Sequence, residues 1–280
     1  MKKKRIIGKF TYHICMIVFC VLMSYPLLWM ISSSFKSSDE IMRTSDQLLV
    51  LKPTLENYIN GWKGFGKNTF TVFFRNSLVI AFVRVLGTVI SSSLTAFGFA
   101  RMRFPGRKIL FAIMIGTMCL PGMVLQIPQF ILFNKMGWVG SLKPLLIPCW
   151  FGGGAFYVFL LMQFMKNIPR EIDEAAIIDG CSWFGLYRHI MLPLIKPSLC
   201  SVGILTFIEA WGDFYSALIY LNKPELYPVA YALKLYSDEV GINYGPMIAM
   251  SVLSLIPVLI LFFIFQKSLV EGISTTGLKG

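Results

Sequence analysis

The sequence has little charge, few acidic residues and almost no histidine. Only 14% of its 280 residues are charged, against about a quarter in ordinary globular domains. Asp and Glu together number 14, whereas Lys and Arg number 26. Hydrophobic residues make up 56% of the chain, aromatic residues 15%, and the mean hydropathy is +0.67. This composition excludes an ordinary soluble or disordered protein and indicates an integral membrane protein.

The residues that build metal sites and active sites are also scarce. The two histidines, His13 and His189, stand far apart, and the six cysteines include no CxxC pair. We therefore predict neither a metal site nor a disulfide framework, and no catalytic cluster. Residues 61–68 match the glycine and lysine positions of a phosphate-binding loop, but Asn68 stands where Ser or Thr must bind magnesium. We expect no cofactor bound by this chain and no ATPase activity of its own.

The net charge is +12, and the Lys and Arg residues that carry it lie at the ends of apolar segments and form no single basic face. This distribution argues against nucleic-acid binding and indicates contact with a lipid bilayer. The polar segments on the N-terminal side carry 15 Lys and Arg, and those on the opposite side carry 9. The excess of positive charge predicts that both termini are cytoplasmic.

Six apolar segments are long enough to cross a bilayer, because a helix of about 18 residues spans about 27 Å. The predicted spans are 14–31, 72–100, 109–133, 144–165, 199–220 and 247–265. The predicted fold is an all-α integral membrane protein with six transmembrane helices, forming one domain over residues 1–280. The third span contains Pro121, and such breaks are tolerated where the freed backbone is buried in protein or lines a cavity.

The segment 166–197, which we call the elbow, interrupts the apolar pattern with eight charged residues and three prolines. It must lie in water, because unpaired charges in hydrocarbon are expensive. Pro169 suits the start of a helix, Gly180 suits its left-handed C-terminal turn, and Pro193 is expected to end a second helix from about Ser182. The sequence predicts a protruding helix–turn–helix. The alternative, from residue chemistry alone, is a solvated loop with a helical turn or two.

The fifth predicted span carries two carboxylates, Glu209 and Asp213, four residues apart on one helix face. Three interpretations remain open: the pair lines a translocation path and binds polyhydroxylated cargo, pairs with Arg84 or a partner subunit, or relays protons. Trp211, between them, is the aromatic residue to test for cargo contact. A self-sufficient proton-coupled secondary transporter is the alternative function that the third interpretation supports.

The elbow resembles the EAA motif of permease subunits in binding-protein-dependent ABC importers. The matching residues, at the spacing of the motif, are Glu174, Ala175, Ala176, Gly180, Ile190, Leu192 and Pro193. Further segments resemble the carbohydrate-uptake branch of these permeases, of the maltose-type second-subunit kind. They are FARMRFPGR (99–107), PGMVLQIPQFILFNKMG (121–137), IEAWGDFYSALI (208–219), NKPELYPV (222–229) and FQKSLVEGISTTGLKG (265–280). Gly212 departs from the pattern, since relatives often carry Asn there.

The resemblance implies a permease subunit in the cytoplasmic (inner) membrane of a bacterium, which is not itself an enzyme. Its partners would be a second, different permease, two cytoplasmic ATPase subunits that bind ATP and Mg, and an extracytoplasmic sugar-binding protein. The elbow would dock into a cleft on an ATPase subunit. The C-terminal residues Gly277, Leu278, Lys279 and Gly280 would reach towards the ATPases. Import of a non-sugar solute by the same machinery is a further alternative.

Overall fold

The computed structural model describes residues 2–44, 47–238 and 241–277. The chain divides into two compact units. The first comprises Met1–Phe70 with Leu233–Ile256, and the second comprises Thr71–Ala232 with Pro257–Gly280. The single domain inferred from the sequence stays a prediction.

In the first unit, α1 (Lys2–Ser34) contains the predicted span 14–31 and is followed by α2 (Ser38–Arg43) and α3 (Glu56–Trp62). The buried amide of Asn57 on α3 donates to the carbonyls of Ser34 at 2.9 Å and Lys36 at 2.6 Å. These bonds hold α3 against the end of α1. Two short strands, β1 (Ser237–Asp238) and β2 (Gly241–Ile242), pair antiparallel.

The segment that resembles a phosphate-binding loop forms a tight turn. Phe65 and Asn68 exchange backbone hydrogen bonds of 2.9 and 3.0 Å, and Gly64 and Gly66 take the left-handed conformation with φ of 70° and 60°. A helix, α3, precedes this turn, whereas a phosphate-binding loop follows a strand. The geometry therefore gives the nucleotide interpretation no support.

The second unit contains most of the remaining helices. They are α4 (Phe70–Arg101), α5 (Arg107–Met118), α6 (Gly122–Lys135), α7 (Lys143–Leu146), α8 (Ala155–Asn167), α9 (Glu171–Ile178), α10 (Trp183–Gly185), α11 (Leu192–Leu194), α12 (Lys196–Trp211), α13 (Phe214–Tyr220) and α14 (Val229–Ala232). A π-helical segment, Leu186–Met191, joins α10 to α11, and 3-10 turns cover Pro148–Trp150, Pro224–Leu226 and Leu233–Tyr236. The last helix is α15 (Tyr244–Gly277).

Four helical segments are long and apolar enough to cross a membrane by themselves: Thr11–Ser34, Phe70–Arg101, Lys143–Asn167 and Tyr244–Gln266. Two bent pairs raise the number to six if each pair is one span. They are Arg107–Met118 with Gly122–Lys135, bent by 105°, and Trp183–Leu194 with Lys196–Trp211, bent by 77°. The predicted all-α membrane fold is confirmed, apart from the two-residue strands. The count of six and the cytoplasmic termini stay predictions.

The breaks in these helices follow from proline and glycine. The 105° bend separates α5 from α6 at Pro121, whose ring removes a backbone donor. In the fourth predicted span, Gly152, Gly153 and Gly154 all have positive φ, which L-residues with side chains rarely adopt. The expectation of one continuous helix over 199–220 is wrong, because α12 ends at Trp211 and α13 begins at Phe214.

An apolar core joins the elbow to the helices beside it. Fully buried side chains from α8 (Leu161 and Met165) pack with Leu186 and Met191 of the elbow and with Phe97 of α4. Burying a side chain of this size contributes about 1.5–3 kcal/mol. The elbow is therefore packed against the ends of α4 and α8.

Candidate functional site

The first helix of the elbow, α9, begins at Glu171, two residues after Pro169, where the sequence predicted its start, and it ends just before Gly180, as predicted. Its first turn carries three acidic residues, which favour the positive end of the helix dipole. Gly180, two residues after the last residue of α9, has a φ of 81°, and its N–H donates to the Ile177 carbonyl at 3.0 Å. The hydroxyl of Ser182 then caps α10 by accepting from the Gly185 N–H at 3.1 Å. The result is a helix–turn–helix.

The second helix of the elbow differs from the prediction, because Pro193 does not end it. The helix continues through Pro193 in α11 and bends only at Ile195. Proline has no N–H to donate to His189, and its ring would clash with that carbonyl in a regular α-helix. The preceding turn widens to a π-helix, in which the Leu192 N–H donates to Tyr187.

The residues of the EAA motif fall into two sets that the sequence does not separate. Glu174, Ala175 and Gly180 are exposed, whereas Ala176 is 7% exposed and belongs to the apolar core. Of the three others, Ile190 and Leu192 pack against this core and Pro193 is exposed. Ala175 and Gly180 add little side-chain bulk to the exposed surface of α9 and the turn after it. Ala176, Ile190 and Leu192 pack in the core beneath that surface.

A buried ion pair that the sequence does not reveal holds α9. The Asp173 carboxylate lies 3.1 Å from Arg101 Nε, at side-chain exposures of 9% and 2%. Arg101 also donates to the carbonyl of Ile168 at 2.8 Å. Burial raises the pKa of Asp173 above its ordinary value, and the guanidinium opposes that rise. The signal in the sequence was a charged residue inside an otherwise amphipathic helix, which is ambiguous without its partner.

The structure brings Glu209 and Asp213 into contact with Arg84, which is the pairing that the second of the three interpretations requires. Arg84 donates to Asp213 Oδ2 at 2.7 Å and to Glu209 Oε1 at 3.1 Å. The Tyr157 hydroxyl donates to the other oxygen of Glu209 at 2.9 Å. The contact with Arg84 was among the predicted possibilities, but Tyr157 was not singled out.

The two carboxylates do not share a helix face, which corrects the expectation from their spacing. Glu209 is in the last turn of α12, and Asp213 lies beyond the helix end, where its Oδ1 caps α13 by accepting from the Ser216 N–H at 3.0 Å. Gly212 lies at the break. The side chain of Glu209 is 57% exposed, against 17% for Asp213. Glu209 is thus the more accessible carboxylate.

The three charged residues line a cavity of about 760 Å³. Its other polar side chains include Thr88, Thr117, Gln129, Tyr157, Thr206 and Ser216. A neighbouring cavity of about 360 Å³ shares Glu209 and Gln129 and reaches Gly122, immediately after the bend between α5 and α6. The break predicted at Pro121 therefore lies beside a cavity, as backbone interruptions at membrane depth require.

Trp211 does not line either cavity. Its ring stacks on Phe207 at 5.6 Å between centroids, and it packs in an apolar cluster with Ala81 and Ala210. It is 7% exposed. The geometry therefore gives no support to cargo stacking on Trp211, which stays an untested prediction.

Neither a metal site nor the C-terminal tail adds to the described site. Among the described residues, no group of three or more His, Cys, Asp or Glu side chains is placed to hold a metal ion. Gly277 is the last residue of α15, and Leu278, Lys279 and Gly280 lie outside the described residues. Their contact with ATPase subunits stays a prediction.

Comparison with known proteins decides the family. Residues 87–275, two thirds of the chain, match the family described as binding-protein-dependent transport system inner membrane component. The chain belongs to this family. It is therefore a multi-pass membrane component of such a transport system, and the family predicted from the elbow motif is confirmed. As a member of the family, it carries the motif on α9 and the turns that follow.

Relatives of this transport component match over nearly their whole length. It is 32% identical to the arabinooligosaccharides transport system permease protein AraQ of Halalkalibacterium halodurans, over 91% of each chain. It is 30% identical to the trehalose/maltose transport system permease protein MalG of Thermococcus litoralis, over 99% of each. Its fold is similar to a chain of a bacterial ABC transporter involved in the import of the acidic polysaccharide alginate. There the TM-score is 0.82 at 22% identity, covering 95% of this chain and 98% of that one.

Proposed function

We propose that this chain is a permease subunit of an ATP-driven carbohydrate importer. It forms half of the translocation path and receives the ATP-driven motion through the elbow. The observation that carries the proposal is the exposed set Glu174, Ala175 and Gly180 on a helix whose other face is fixed in the core. The names of AraQ and MalG, which transport saccharides, support the cargo class.

The elbow is suited to transmit motion because it is stiff. The Arg101–Asp173 pair joins α9 to the end of α4, and buried side chains join the π-helical segment to α8. A displacement of α9 is thereby passed to two helices of the membrane region. The exposed face of α9 would dock into a cleft on an ATPase subunit, and ATP and Mg would be bound by that partner.

The cavity beside Arg84 is suited to an uncharged, hydroxylated cargo. The lining has a formal charge of one negative unit, because it contains Arg84, Glu209 and Asp213. It would therefore repel an anionic cargo. The carboxylates, the amide of Gln129 and several hydroxyls supply both acceptors and donors. These groups match the hydroxyls of a neutral saccharide better than the carboxylates of an acidic one.

The proposed assembly contains a second, different permease, two cytoplasmic ATPase subunits and an extracytoplasmic sugar-binding protein, in the bacterial cytoplasmic membrane. Six spans with both termini in the cytoplasm would place the elbow on the side of the ATPases. The chain itself would have no enzymatic activity, since ATP hydrolysis would take place on the partners.

Affinity purification of the full-length chain from its native membranes tests the proposal. The wild-type chain is expected to retain a soluble ATPase and a second permease. Glu174→Arg reverses the charge on the exposed face of α9, so it should lose the ATPase and keep the permease. Glu225→Arg makes the same charge change at an exposed residue far from the elbow in sequence, and should keep both partners.

The same preparation separates the alternatives. A chain that is recovered alone, remains folded and catalyses proton-coupled uptake would establish a secondary transporter and overturn the proposal. An ATPase-dependent importer whose binding protein takes up peptides or lipids, and no saccharide, would establish the non-sugar alternative. Competition with neutral and acidic saccharides then tests the charge of the cavity.

A further inference from the structure

A third cavity, of about 730 Å³, lies at the elbow end of the second unit and has no part in the proposed transport path. It is bounded by the end of α4, the start of α5 and the end of α8. We refer to it as the basic cavity, because four cations line it and no acidic residue does: Arg103, Arg107, Lys108 and Lys166. Its remaining lining is mainly apolar, including Phe99, Phe111 and Met162.

Among the residues that the structure describes, none of the four cations of the basic cavity makes an ion pair. Lys166 Nζ lies 5.6 Å from the centre of the Phe111 ring, and Arg107 donates to the Met102 carbonyl at 3.3 Å. Arg103, Lys108 and Lys166 are exposed at the rim. Like charges repel each other more beside an apolar wall than in open water, so an anion bound among them would be stabilised.

We propose that the basic cavity binds one anionic glycerophospholipid of the bilayer. The phosphate would lie among the basic side chains, where an arginine fork can make two parallel hydrogen bonds to its oxygens. The N-terminal turn of α5 begins at Arg107 and has no side-chain cap, so the positive end of its dipole lies on the same side. An acyl chain would lie along the apolar wall that contains Phe99 and Phe111.

The position in the fold favours a lipid over a soluble anion. The cavity is at the ends of helices that are long and apolar enough to cross a membrane, Phe70–Arg101 and Lys143–Asn167. Basic cavities between such helices on the cytoplasmic side bind anionic lipid headgroups. Arg101, two residues before Arg103, holds the carbonyl of Ile168, so a bound lipid would adjoin the attachment of the elbow.

Native mass spectrometry of the full-length chain in detergent tests this inference without transport or ATPase partners. The chain is incubated with equal amounts of phosphatidylglycerol and phosphatidylcholine. We expect phosphatidylglycerol to be retained at least about a hundredfold more, since each of the basic residues near an anionic lipid favours it about fivefold. Equal retention of the two lipids would overturn the proposal.

A matched pair of triple variants locates the site. Arg103→Gln with Arg107→Gln and Lys166→Gln should weaken phosphatidylglycerol retention about a hundredfold. The control, Lys135→Gln with Lys143→Gln and Lys223→Gln, removes the same charge from segments predicted to face the opposite side of the membrane. It should retain the lipid as the wild type does. An equal loss in both variants would show general surface attraction and would contradict a specific site.

Two measurements on the wild-type chain keep the proposal testable if the first variant does not fold. A photoactivatable phosphatidylglycerol should cross-link to peptides that contain residues 99–111 or 162–166, and cross-linking only elsewhere would overturn the proposal. Inorganic phosphate added in large excess should leave the bound lipid in place. Its displacement by phosphate at about equal concentration would assign the cavity to a soluble anion.

Discussion

Arg101 at the end of α4 and Asp173 on α9 lie 3.1 Å apart, between Nε and Oδ2, and both side chains are at least nine-tenths buried. Removing two charges from water costs several kcal/mol per ion, and their attraction offsets this cost only in part. The raised pKa of Asp173, caused by burial, agrees with that balance. The pair therefore fixes where α9 lies more than it stabilises the fold.

Breaking this pair on one side is expected to be more harmful than removing it. Asp173→Ala leaves the Arg101 guanidinium buried without a carboxylate and should lower the free energy of unfolding by about 3–5 kcal/mol. Arg101→Leu combined with Asp173→Leu should recover most of that loss. Thermal unfolding in detergent measures both. Asp179→Ala, at an exposed residue that ends α9, is the control and should change stability by less than about 0.5 kcal/mol. A double variant as unstable as Asp173→Ala would contradict the explanation by desolvation.

Adjacent alanines of the motif should respond in opposite ways to the same substitution. Ala176→Leu adds volume to a packed core and should destabilise the chain by about 1–3 kcal/mol. Ala175→Leu adds it to an exposed face, so stability should stay within about 0.5 kcal/mol of the wild type. In Ala175→Leu, the added side chain on the docking face should weaken binding of the ATPase subunit at least about tenfold, or ~1.4 kcal/mol.

Thermal unfolding and co-purification with the ATPase measure this pair of variants, each serving as the control for the other. If Ala175→Leu retained the ATPase at wild-type affinity, the exposed face of α9 would not be the docking surface.

The carboxylates of the cavity should separate into a structural and a cargo-facing residue. Asp213→Ala removes the cap of α13 and one partner of Arg84, so it should cost at least about 1 kcal/mol of stability. Glu209→Gln keeps one acceptor oxygen, which can face Arg84, and its amide NH2 can donate to the Tyr157 hydroxyl oxygen, so stability should be nearly unchanged. The substitution should raise the half-saturation concentration for uptake about tenfold, because a charged acceptor is lost.

Uptake assays with the assembled importer and thermal unfolding test both substitutions, with Glu225→Gln as a control outside the cavity. Glu209→Gln with normal uptake and affinity would remove the carboxylate from the cargo path and leave only its pairing with Arg84.

The glycine run before α8 offers a comparison between strain and crowding. Gly152 and Gly153 both have positive φ, so an alanine at either position carries about 1–2 kcal/mol of strain. A Cβ at Gly152 meets open space, but one at Gly153 would lie 2.7 Å from the Thr88 carbonyl oxygen of α4. The free energy of unfolding of Gly153→Ala should therefore be lower than that of Gly152→Ala by about 1 kcal/mol. Equal melting temperatures would show that α4 moves away without cost.

Local chemistry in the sequence was sufficient to predict the fold class, the elbow and its first helix. The charges of 166–197, the acidic first turn of α9 and Gly180 act within a few residues, so their effect does not depend on distant parts of the chain. The spacing of the EAA motif identified the family for the same reason. These features needed no tertiary contact to be recognised.

What the sequence could not show depends on partners that are distant along the chain. The pairing of Arg101 with Asp173, and of Tyr157 with Glu209, joins residues 72 and 52 positions apart. The spacing of Glu209 and Asp213 predicted one helix face, but α12 ends at Trp211, between them. Asp213 instead caps the next helix by accepting from the Ser216 N–H. Pro193 was expected to end a helix, and the π-helical turn that accommodates it has no simple sequence pattern.

The π-helical turn sets a condition on the number of residues in the elbow. A regular α-helix advances about 100° per residue, and the wide turn at Leu186–Met191 accommodates more residues than an α-helical turn. Deleting one residue there would close the wide turn to a regular α-helical one, in which the ring of Pro193 would meet the carbonyl four residues before it. The extra residue of the wide turn is therefore part of what lets Pro193 stand inside the helix. In this part of the chain, the number of residues is a condition of the structure in addition to their identity.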